Sequence, residues 1–219
     1  MEPIPDILGR LALVPVVKID KAEDGIPLGK ALIAGGLPCA EITFRTQAAE
    51  EAIRRIASEF PELVLGAGTV LTVDQAKKAV GAGARFIVSP GFETQVIDWC
   101  LAQGVEIFPG VVTPTEIMAA FGKGLTIVKF FPAEAFGGIA TIKALAAPFG
   151  NIRFIPTGGV NARNLADYLS LPAVHACGGS WMVESRMIAA HQFGEIARLT
   201  AEACAIVQRI RGDKATCSG

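Results

Sequence analysis

The sequence predicts an α/β fold, a single (β/α)8 TIM barrel with an N-terminal helical extension, and three observations support this prediction. Short apolar runs rich in β-branched residues recur along the chain, beginning at residues 13, 39, 63, 85, 106, 126, 153 and 173. Stretches with helical periodicity lie between them, so strand and helix alternate. No linker or shift in composition divides the chain, which is 51% hydrophobic and 19% charged. This alternation is typical of parallel strands covered by helices.

The element boundaries follow from the apolar runs and from the residues that begin and end helices. The predicted strands cover residues 13–19, 39–44, 63–70, 85–90, 106–112, 126–133, 153–159 and 173–180. Periodicity predicts helices over residues 47–58, 73–81 and 162–169, and one final helix over residues 185–211. The stretch Thr-Pro-Thr-Glu at 113–116 has the residues of a capping box. Thr72 and Asn161 are expected to cap the helices that follow them.

An open, doubly wound sheet is the competing fold prediction. The stretch GAGTVL at 66–71 matches only part of the GxGxxG pattern of dinucleotide-binding folds, because the third glycine is missing. The barrel is therefore preferred. We expect one domain over residues 1–219, with an extension at about 1–12 and a flexible tail at about 212–219.

Composition excludes several kinds of protein. Lys and Arg total 20 against 21 Asp and Glu, and no basic stripe is present, which argues against a nucleic-acid partner. We expect no targeting signal and no membrane span. The cysteines are scattered and odd in number, which indicates reduced thiols and a cytoplasmic location; they are Cys39, Cys100, Cys177, Cys204 and Cys217. With only His175 and His191 available, a three-histidine metal centre is impossible, and we expect no metal and no other cofactor.

Several other conspicuous side chains are interpreted as structural. His175 is interpreted as a hydrogen-bonded core residue, and Trp99, Met118 and Trp181 as packing residues.

A lysine interrupts the apolar run TIVKFFPAE at 126–134, and this is the clearest chemical signal in the chain. Lysine is rarely buried unless it is paired or functional. Alternation places Lys129 on one strand face with Ile127 and Phe131, toward the carboxyl end where barrel active sites lie. Burial there disfavours the ammonium form, and an uncharged lysine can form a Schiff base with a ketone. The competing interpretation is a lysine whose ammonium reaches solvent at the strand end.

A second predicted strand has an acidic and a basic residue on the same face. In AEITFR at 40–45, Glu41, Thr43 and Arg45 alternate with Ile42 and Phe44. A simple ion pair is an equally good interpretation of Glu41 and Arg45 taken alone. Beside a Schiff-base lysine, Glu41 could instead transfer protons and Arg45 could bind a carboxylate through two hydrogen bonds.

Two glycine pairs end the last two predicted strands. FIPTGGV at 154–160 contains Gly158 and Gly159, and ACGGSW at 176–181 contains Gly178, Gly179 and Ser180. Barrels often bind phosphate with the loops after strands seven and eight, using backbone N–H groups. Ordinary tight turns are the alternative. Together with the buried lysine, the pairs favour a phosphate site.

With these motifs assembled, the sequence resembles the 2-keto-3-deoxy-6-phosphogluconate (KDPG) / 4-hydroxy-2-oxoglutarate (KHG) aldolase family over about residues 13–183. The similarity is carried by EITFR, GAGTVL, SPG at 89–91, PGVVTPTE at 109–116, VKFFPAE, PTGG and GGSW. The resemblance implies a carbon–carbon lyase of class I that cleaves KDPG to pyruvate and glyceraldehyde 3-phosphate. It also implies a second activity, the cleavage of KHG to pyruvate and glyoxylate. It further implies a (β/α)8 fold, a homotrimer and no metal.

The resemblance assigns roles to individual residues. Lys129 matches the Schiff-base lysine and Glu41 the general acid and base. Arg45 and Thr69 would bind the substrate carboxylate, while Pro90 and Phe131 would shape the pocket. The residues that match the phosphate pocket are Gly158, Gly159, Gly179 and Ser180. Lys18 departs from the family pattern, in which some members carry arginine at this position, and a lysine there keeps the charge without the bidentate fork.

Two other functions remain open at this point. One is a phosphate-binding barrel isomerase or epimerase, in which Lys129 acts only as a point charge. The other is a non-catalytic barrel that binds a phosphosugar. Neither accounts for Glu41, Arg45 and Lys129 together.

Overall fold

The computed structural model describes residues 2–212, in which strands and helices alternate along most of the chain. The strands are β1 (Leu13–Val17), β2 (Cys39–Thr43), β3 (Val64–Gly68), β4 (Phe86–Val88), β5 (Glu106–Phe108), β6 (Gly110–Val111), β7 (Ile127–Phe130), β8 (Arg153–Pro156) and β9 (Cys177–Gly179). The helices are α1 (Ile4–Leu11), α2 (Gly25–Ala34), α3 (Ala49–Glu59), α4 (Val73–Gly81), α5 (Thr94–Gln103), α6 (Pro114–Gly122), α7 (Gly138–Ala146), α8 (Leu165–Leu169), α9 (Ser185–Ala189) and α10 (Phe193–Arg211). Short 3₁₀ turns cover Ala22–Asp24 and Glu134–Phe136.

All strand pairings in the described part of the chain are parallel, so the predicted parallel α/β fold is confirmed. The strands form a six-stranded sheet in the order β5-β4-β3-β2-β1-β9 and a three-stranded sheet in the order β6-β7-β8. A single continuous eight-stranded sheet was predicted, and the structure instead has these two. The division between β5 and β6 falls at Pro109, which has no N–H to donate to a ladder.

Hydrogen bonds link the two sheets at both sides of the division. The Lys129 N–H donates to the Pro109 carbonyl at 2.9 Å, beside the β6–β7 ladder. On the other side, isolated parallel bridges pair Phe154 with Val174 and Thr157 with Gly178. The carboxyl end of β8 therefore lies beside the start of β9, and the predicted glycine pairs are brought to the same edge.

The strands enclose an apolar interior. Every residue of β2 and β3 is buried, as expected of parallel strands covered on both faces. A small cavity in this interior is lined by Leu8, Val14, Glu41, Phe86, Val88, Phe108, Lys129, Ile155 and Thr157. Leu8 belongs to α1, so the predicted N-terminal helix packs under the strands. His175 fixes that helix, since its Nε2 lies 2.8 Å from the Pro5 carbonyl oxygen. The predicted hydrogen-bonded role of His175 is confirmed.

Two predicted helix caps are confirmed and one is wrong. Thr113 Oγ1 accepts from the Glu116 N–H at 3.3 Å, and the Glu116 carboxylate accepts from the Thr113 N–H at 2.8 Å, which completes the capping box. Thr72 accepts from the Gln75 N–H at 3.2 Å. Asn161 does not begin a helix, because α8 starts only at Leu165. Its N–H donates to Asn164 Oδ1 at 2.8 Å, and both residues belong to the loop after β8.

Other expectations are corrected in the second half of the chain. The single predicted helix over 185–211 is two helices, because His191 adopts a left-handed conformation with φ of 54° between α9 and α10. The packing role predicted for Met118 is wrong, since this side chain is 65% exposed.

Four of the cysteines are buried free thiols, whereas Cys217 and most of the predicted tail lie outside the described residues. Among residues 2–212, no helix is long and apolar enough to cross a membrane.

Candidate active site

Lys129 and Glu41 meet inside the ring of strands. Lys129 lies on β7 and is 5% exposed, and Glu41 lies on β2 and is 3% exposed. The Lys129 ammonium nitrogen donates to Glu41 Oε1 at 3.3 Å. It also lies 5.2 Å from the centre of the Phe131 ring, within the range of a cation–π contact. The lysine does not reach solvent, so the interpretation of Lys129 as an exposed strand-end residue is wrong.

The Lys129–Glu41 pair is poorly suited to a purely structural role. Removing two charges from water costs more than one long hydrogen bond recovers, and buried pairs that stabilise a fold have several additional hydrogen bonds. A lysine and a carboxylate within proton-transfer distance in an apolar pocket are typical of a reactive site. The geometry thus favours chemistry at this pair.

The glycines of β3 explain how Glu41 fits. A Cβ atom at Gly68 would overlap the Glu41 carboxyl group, and one at Gly66 would overlap the Phe86 ring. The absence of side chains on β3 therefore leaves the space that the Glu41 carboxylate occupies. GAGTVL matched a dinucleotide-binding pattern only in part and also contributed to the family resemblance; in the structure, its glycines at 66 and 68 leave room for neighbouring side chains.

The predicted carboxylate-binding residues lie at the carboxyl ends of β2 and β3. Arg45 is exposed two residues beyond β2, and its Nε donates to Thr43 Oγ1 at 3.1 Å. The buried Thr43 hydroxyl donates in turn to the Val17 carbonyl at 2.8 Å. Thr69 directly follows β3 and is half-buried, with a left-handed φ of 56°. A non-glycine residue in this conformation is uncommon and often marks a functional position.

The predicted pocket residues flank the same end of the strands. Phe131 is half-buried directly after β7, and Pro90 is half-buried after β4. The Pro90 carbonyl packs so closely on Gly110 that a side chain at that position would overlap it. Pro90 is thus held against β6, the strand that pairs with Lys129.

The Gly158–Gly159 loop is held in a shape suited to an anion. Both glycines have positive φ, of 96° and 86°. The Gly158 carbonyl accepts from the Glu134 N–H at 3.0 Å, and the Gly159 carbonyl accepts from Asn161 Nδ2 at 2.9 Å and Asn164 Nδ2 at 3.1 Å. The parallel bridge between Thr157 and Gly178 directs the Gly158 N–H toward the Gly178 backbone, whereas within residues 2–212 the Gly159 N–H has no backbone acceptor. A loop whose carbonyls are hydrogen-bonded to neighbouring groups and whose backbone N–H groups line its open side can bind an anion.

The second glycine pair lies beside the first. Gly178 is bridged to Thr157, and a Cβ atom at Gly178 would overlap the Thr157 hydroxyl. Gly179 is buried under the Trp181 ring, whereas Ser180 is exposed. The two loops therefore approach each other at the edge where the resemblance predicts a phosphate.

The Lys18 side chain forms an ion pair with a nearby acid. Its ammonium pairs with Asp20 at 2.6 Å, and both side chains are partly exposed. It lines a cleft of about 100 Å³ with Asp20, Lys21, Asp24, Ser185, Ile188 and Ala189. To contact a ligand at the glycine loops, Lys18 would have to leave Asp20.

Sequence reasoning missed the residues that hold the site in place. Glu134, Asn164 and Tyr168 contact the glycine loop or each other from positions for which no role was predicted, and Asn161 was predicted to cap a helix instead. Only Glu134 lies within a quoted motif, VKFFPAE. Among the described residues, no group of three or more His, Cys, Asp or Glu side chains could hold a metal ion.

Comparison with known proteins identifies the family. The family model described as KDPG and KHG aldolase matches residues 4–199. The chain is 50% identical to a 2-dehydro-3-deoxy-phosphogluconate aldolase of Treponema pallidum, covering 92% of this chain and 96% of that protein. It is 42% identical to the KHG/KDPG aldolase of Escherichia coli, covering 90% and 92%.

Solved structures agree with this result. The fold is similar to that of KDPG aldolase from Legionella pneumophila, with a TM-score of 0.89 and 38% identity over 93% of this chain and 99% of that chain. That crystal structure contains pyruvate captured as a covalent carbinolamine intermediate. A model match over most of the chain, together with relatives far above 30% identity, leads to one conclusion: this chain belongs to the KDPG and KHG aldolase family.

Proposed function

We propose that the protein is a class I aldolase that cleaves 2-keto-3-deoxy-6-phosphogluconate to pyruvate and glyceraldehyde 3-phosphate. The observation that carries the proposal is the buried Lys129 ammonium, 3.3 Å from the Glu41 carboxylate. The covalent pyruvate adduct in the Legionella relative supports an amine nucleophile of this kind. Cleavage of 4-hydroxy-2-oxoglutarate is proposed as a second activity, supported by the similarity to the KHG/KDPG aldolase of E. coli.

The first half of the reaction forms an imine. Only the uncharged amine is nucleophilic, and Glu41 is close enough to take the proton from Lys129. The Lys129 nitrogen then attacks C2 of the substrate ketone and forms a carbinolamine. Glu41 returns this proton to the departing hydroxyl, so water leaves, a protonated imine forms and Glu41 is again a carboxylate. The protonated imine can accept an electron pair from the adjacent C3–C4 bond.

The second half breaks the carbon–carbon bond. Glu41 takes the proton from the C4 hydroxyl, the C3–C4 electrons move to form an enamine, and C4 leaves as the aldehyde of glyceraldehyde 3-phosphate. Glu41 returns its proton to C3 of the enamine. Water then hydrolyses the imine, which releases pyruvate and restores Lys129, so protons and electrons balance.

We propose that the substrate is held at both ends. Arg45 and Thr69 bind the C1 carboxylate, and Thr43 restrains Arg45 through the hydrogen bond to its Nε. Pro90 and Phe131 form walls of the pyruvate pocket. The backbone N–H groups of the Gly158–Gly159 loop, together with Gly179 and the Ser180 hydroxyl, bind the phosphate. Lys18 joins them by exchanging Asp20 for the phosphate.

The direct test is trapping of the imine. The protein is incubated with pyruvate and borohydride, digested, and analysed by peptide mass spectrometry. A reduced pyruvyl group is expected on Lys129. An adduct on another lysine would refute this mechanism. No adduct in folded protein would favour the isomerase, epimerase or binding-barrel alternatives.

The finer features of the fold are also proposed. β5 and β6 act as one strand interrupted at Pro109, so that eight parallel strands close into one (β/α)8 barrel domain. The links on both sides of the two sheets support closure. Amide hydrogen exchange tests it, because one cooperative barrel would protect β5–β7 and β1–β3 with similar free energies.

A homotrimer is the proposed assembly. Three large apolar side chains on α5 and α6 support it, since Leu101 is 44%, Met118 65% and Phe121 55% exposed. The two helices are joined by the Lys123–Asp98 ion pair at 2.5 Å, so these side chains belong to one region of the surface. Light scattering after gel filtration should give three times the chain mass, and Phe121→Asp should give a smaller species.

A further inference from the structure

A hydrogen bond between Glu134 and Tyr168 joins two segments on either side of the Gly158–Gly159 loop. Tyr168, on α8, is fully buried, and its hydroxyl donates to Glu134 Oε1. Glu134 opens the short turn after β7 and is exposed on its other side. Burial raises the pKa of Tyr168, and the Glu134 hydrogen bond raises it further, so the phenol is a neutral donor.

Glu134 holds both ends of this loop. Its backbone N–H donates to the Gly158 carbonyl at 3.0 Å, where the loop leaves β8. Its carboxylate accepts from Tyr168, on the helix at which the loop ends. Its aliphatic carbons also pack on Gly159, because a Cβ atom there would overlap them. One residue thus fixes the start, the middle and the end of the loop.

The surrounding glycines leave room for this arrangement. A Cβ atom at Gly138 would lie 2.8 Å from both Glu134 Oε1 and the Tyr168 hydroxyl oxygen. The pair therefore occupies space that a side chain at position 138 would take.

Charge alone argues against an acid at this position. A carboxylate beside a loop that binds an anion repels the anion, and a hydrogen bond from a neutral phenol does not remove the negative charge. Here one oxygen is engaged by Tyr168, and the backbone of the same residue orients the loop. A positioning role accounts for an acid in a place where electrostatics disfavours it.

We infer that Glu134 and Tyr168 are positioning residues for the phosphate end of the substrate. Their hydrogen bond holds the backbone of the Gly158–Gly159 loop in the orientation that a phosphate monoester requires. The inference rests on the proposed function, because it deepens the role given there to the two glycines. It predicts that the pair affects phosphorylated ligands and leaves the chemistry at Lys129 unchanged.

The test compares one phosphorylated and one unphosphorylated substrate. Tyr168→Phe keeps the ring and removes the donor. It should raise KM for 2-keto-3-deoxy-6-phosphogluconate by about tenfold, the loss typical of a hydrogen bond to a charged group. The value of kcat for this substrate, and both constants for 4-hydroxy-2-oxoglutarate, should stay within about twofold of wild type by the same reasoning. Inhibition by inorganic phosphate should weaken by the same factor as KM rises.

Variants of Glu134 separate the hydrogen bond from the charge. Glu134→Ala removes the same hydrogen bond and also part of the packing on Gly159, so its loss should be at least that of Tyr168→Phe. Adding Tyr168→Phe to Glu134→Ala should cause no further loss, because the two residues share one hydrogen bond. Glu134→Gln keeps an oxygen acceptor and should retain the wild-type KM or lower it. Since Glu134 is exposed, the alanine variant tests the inference even if Tyr168→Phe fails to fold.

Ser170→Ala is the matched control. Ser170 directly follows α8, and its hydroxyl donates to the Ala166 carbonyl within that helix rather than to the glycine loop. It should leave both substrates unchanged. Equal losses on both substrates in Tyr168→Phe would show a merely structural role and overturn the inference, as would no change on either.

Failure of the proposed function gives a different pattern. Wild-type protein that forms no imine, or that is insensitive to inorganic phosphate, refutes the function or the phosphate site before any variant is made. If wild-type protein passes both tests and Tyr168→Phe changes KM for the phosphorylated substrate no more than for the unphosphorylated one, only the positioning role is refuted.

Discussion

The two ends of the candidate site are built from different parts of the chain. At the proposed reaction end, the groups expected to react are the buried side chains of Lys129 and Glu41, and their strands hold them in place. At the proposed anion end, the groups expected to contact the ligand belong to the Gly158–Gly159 backbone, and hydrogen bonds to the glycine carbonyls hold the loop. The reaction end depends on which side chains are present, whereas the anion end depends on where side chains are absent.

This difference predicts how each end fails. Loss of a reacting group should abolish chemistry for every substrate, because no neighbour can replace an amine or a carboxylate. Distortion of a backbone loop should weaken binding of phosphorylated ligands only. Four substitutions test this contrast, in order of decreasing effect.

Lys129→Ala should cause the largest loss. Without the amine no imine forms, and turnover of both substrates should fall by at least about 10⁴-fold, as for the loss of other covalent nucleophiles. Borohydride trapping and a pyruvate-release assay measure the effect. Lys143→Ala, on α7, is the control and should retain trapping. Residual turnover near wild type would place the chemistry elsewhere.

Glu41→Gln should be second. The amide preserves shape but cannot accept a proton, so turnover should fall by about 10²- to 10⁴-fold, the usual contribution of a general acid or base. Exchange of the C3 protons of bound pyruvate with deuterated water, followed by NMR, should be lost to a similar degree. Unchanged exchange would remove Glu41 from the proton-transfer steps.

Gly159→Ala should affect only the anion end. Position 159 has φ of 86°, and a Cβ atom there would overlap Glu134, so the loop must change shape. We expect kcat/KM for the phosphorylated substrate to fall by about 10- to 100-fold, consistent with strain of about 1–3 kcal/mol at such a position. Constants for 4-hydroxy-2-oxoglutarate should be nearly unchanged. Equal losses on both substrates would break the proposed separation of the two ends.

Thr43→Val should have the smallest of the four effects. It changes the reaction end of the site, through Arg45. The valine keeps the β-branched shape of the buried side chain but removes the acceptor that restrains Arg45. KM should rise by about three- to tenfold for both substrates alike, the loss expected for one hydrogen bond to a charged group. Steady-state kinetics with both substrates measures this. A rise for only the phosphorylated substrate would contradict the assignment of Arg45 to the carboxylate.

The same contrast explains which residues the sequence could predict. Lys129 and Glu41 were predicted because a charged residue within an apolar strand is conspicuous without any knowledge of its partner. Their separation of 88 positions did not matter, since alternation and the strand ends placed both on the interior. The capping box at Thr113 could also be predicted from the sequence, because all of its contacts are between residues close together in the chain.

Residues that act through distant contacts could not be predicted. Tyr168 contacts Glu134, which lies 34 positions earlier in the chain, through its hydroxyl group. No local sequence pattern calls for a hydroxyl at this position. Asn161 was read as a helix cap because asparagine favours that role, whereas it caps the Gly159 carbonyl instead. The break at His191 was missed since nothing in the periodicity of the flanking segments marks a left-handed residue.

Tyr168 is also the only tyrosine among the 219 residues of the chain. Protein grown with tyrosine labelled with ¹³C at the ring carbon that bears the hydroxyl therefore gives one resonance from that label, and the signal needs no assignment. Because this carbon senses the donor state of the phenol, its chemical shift reports the hydrogen bond to Glu134 directly. The hydrogen bond can therefore be followed by NMR in the unmutated enzyme, at a residue on the helix that follows the proposed phosphate-binding loop.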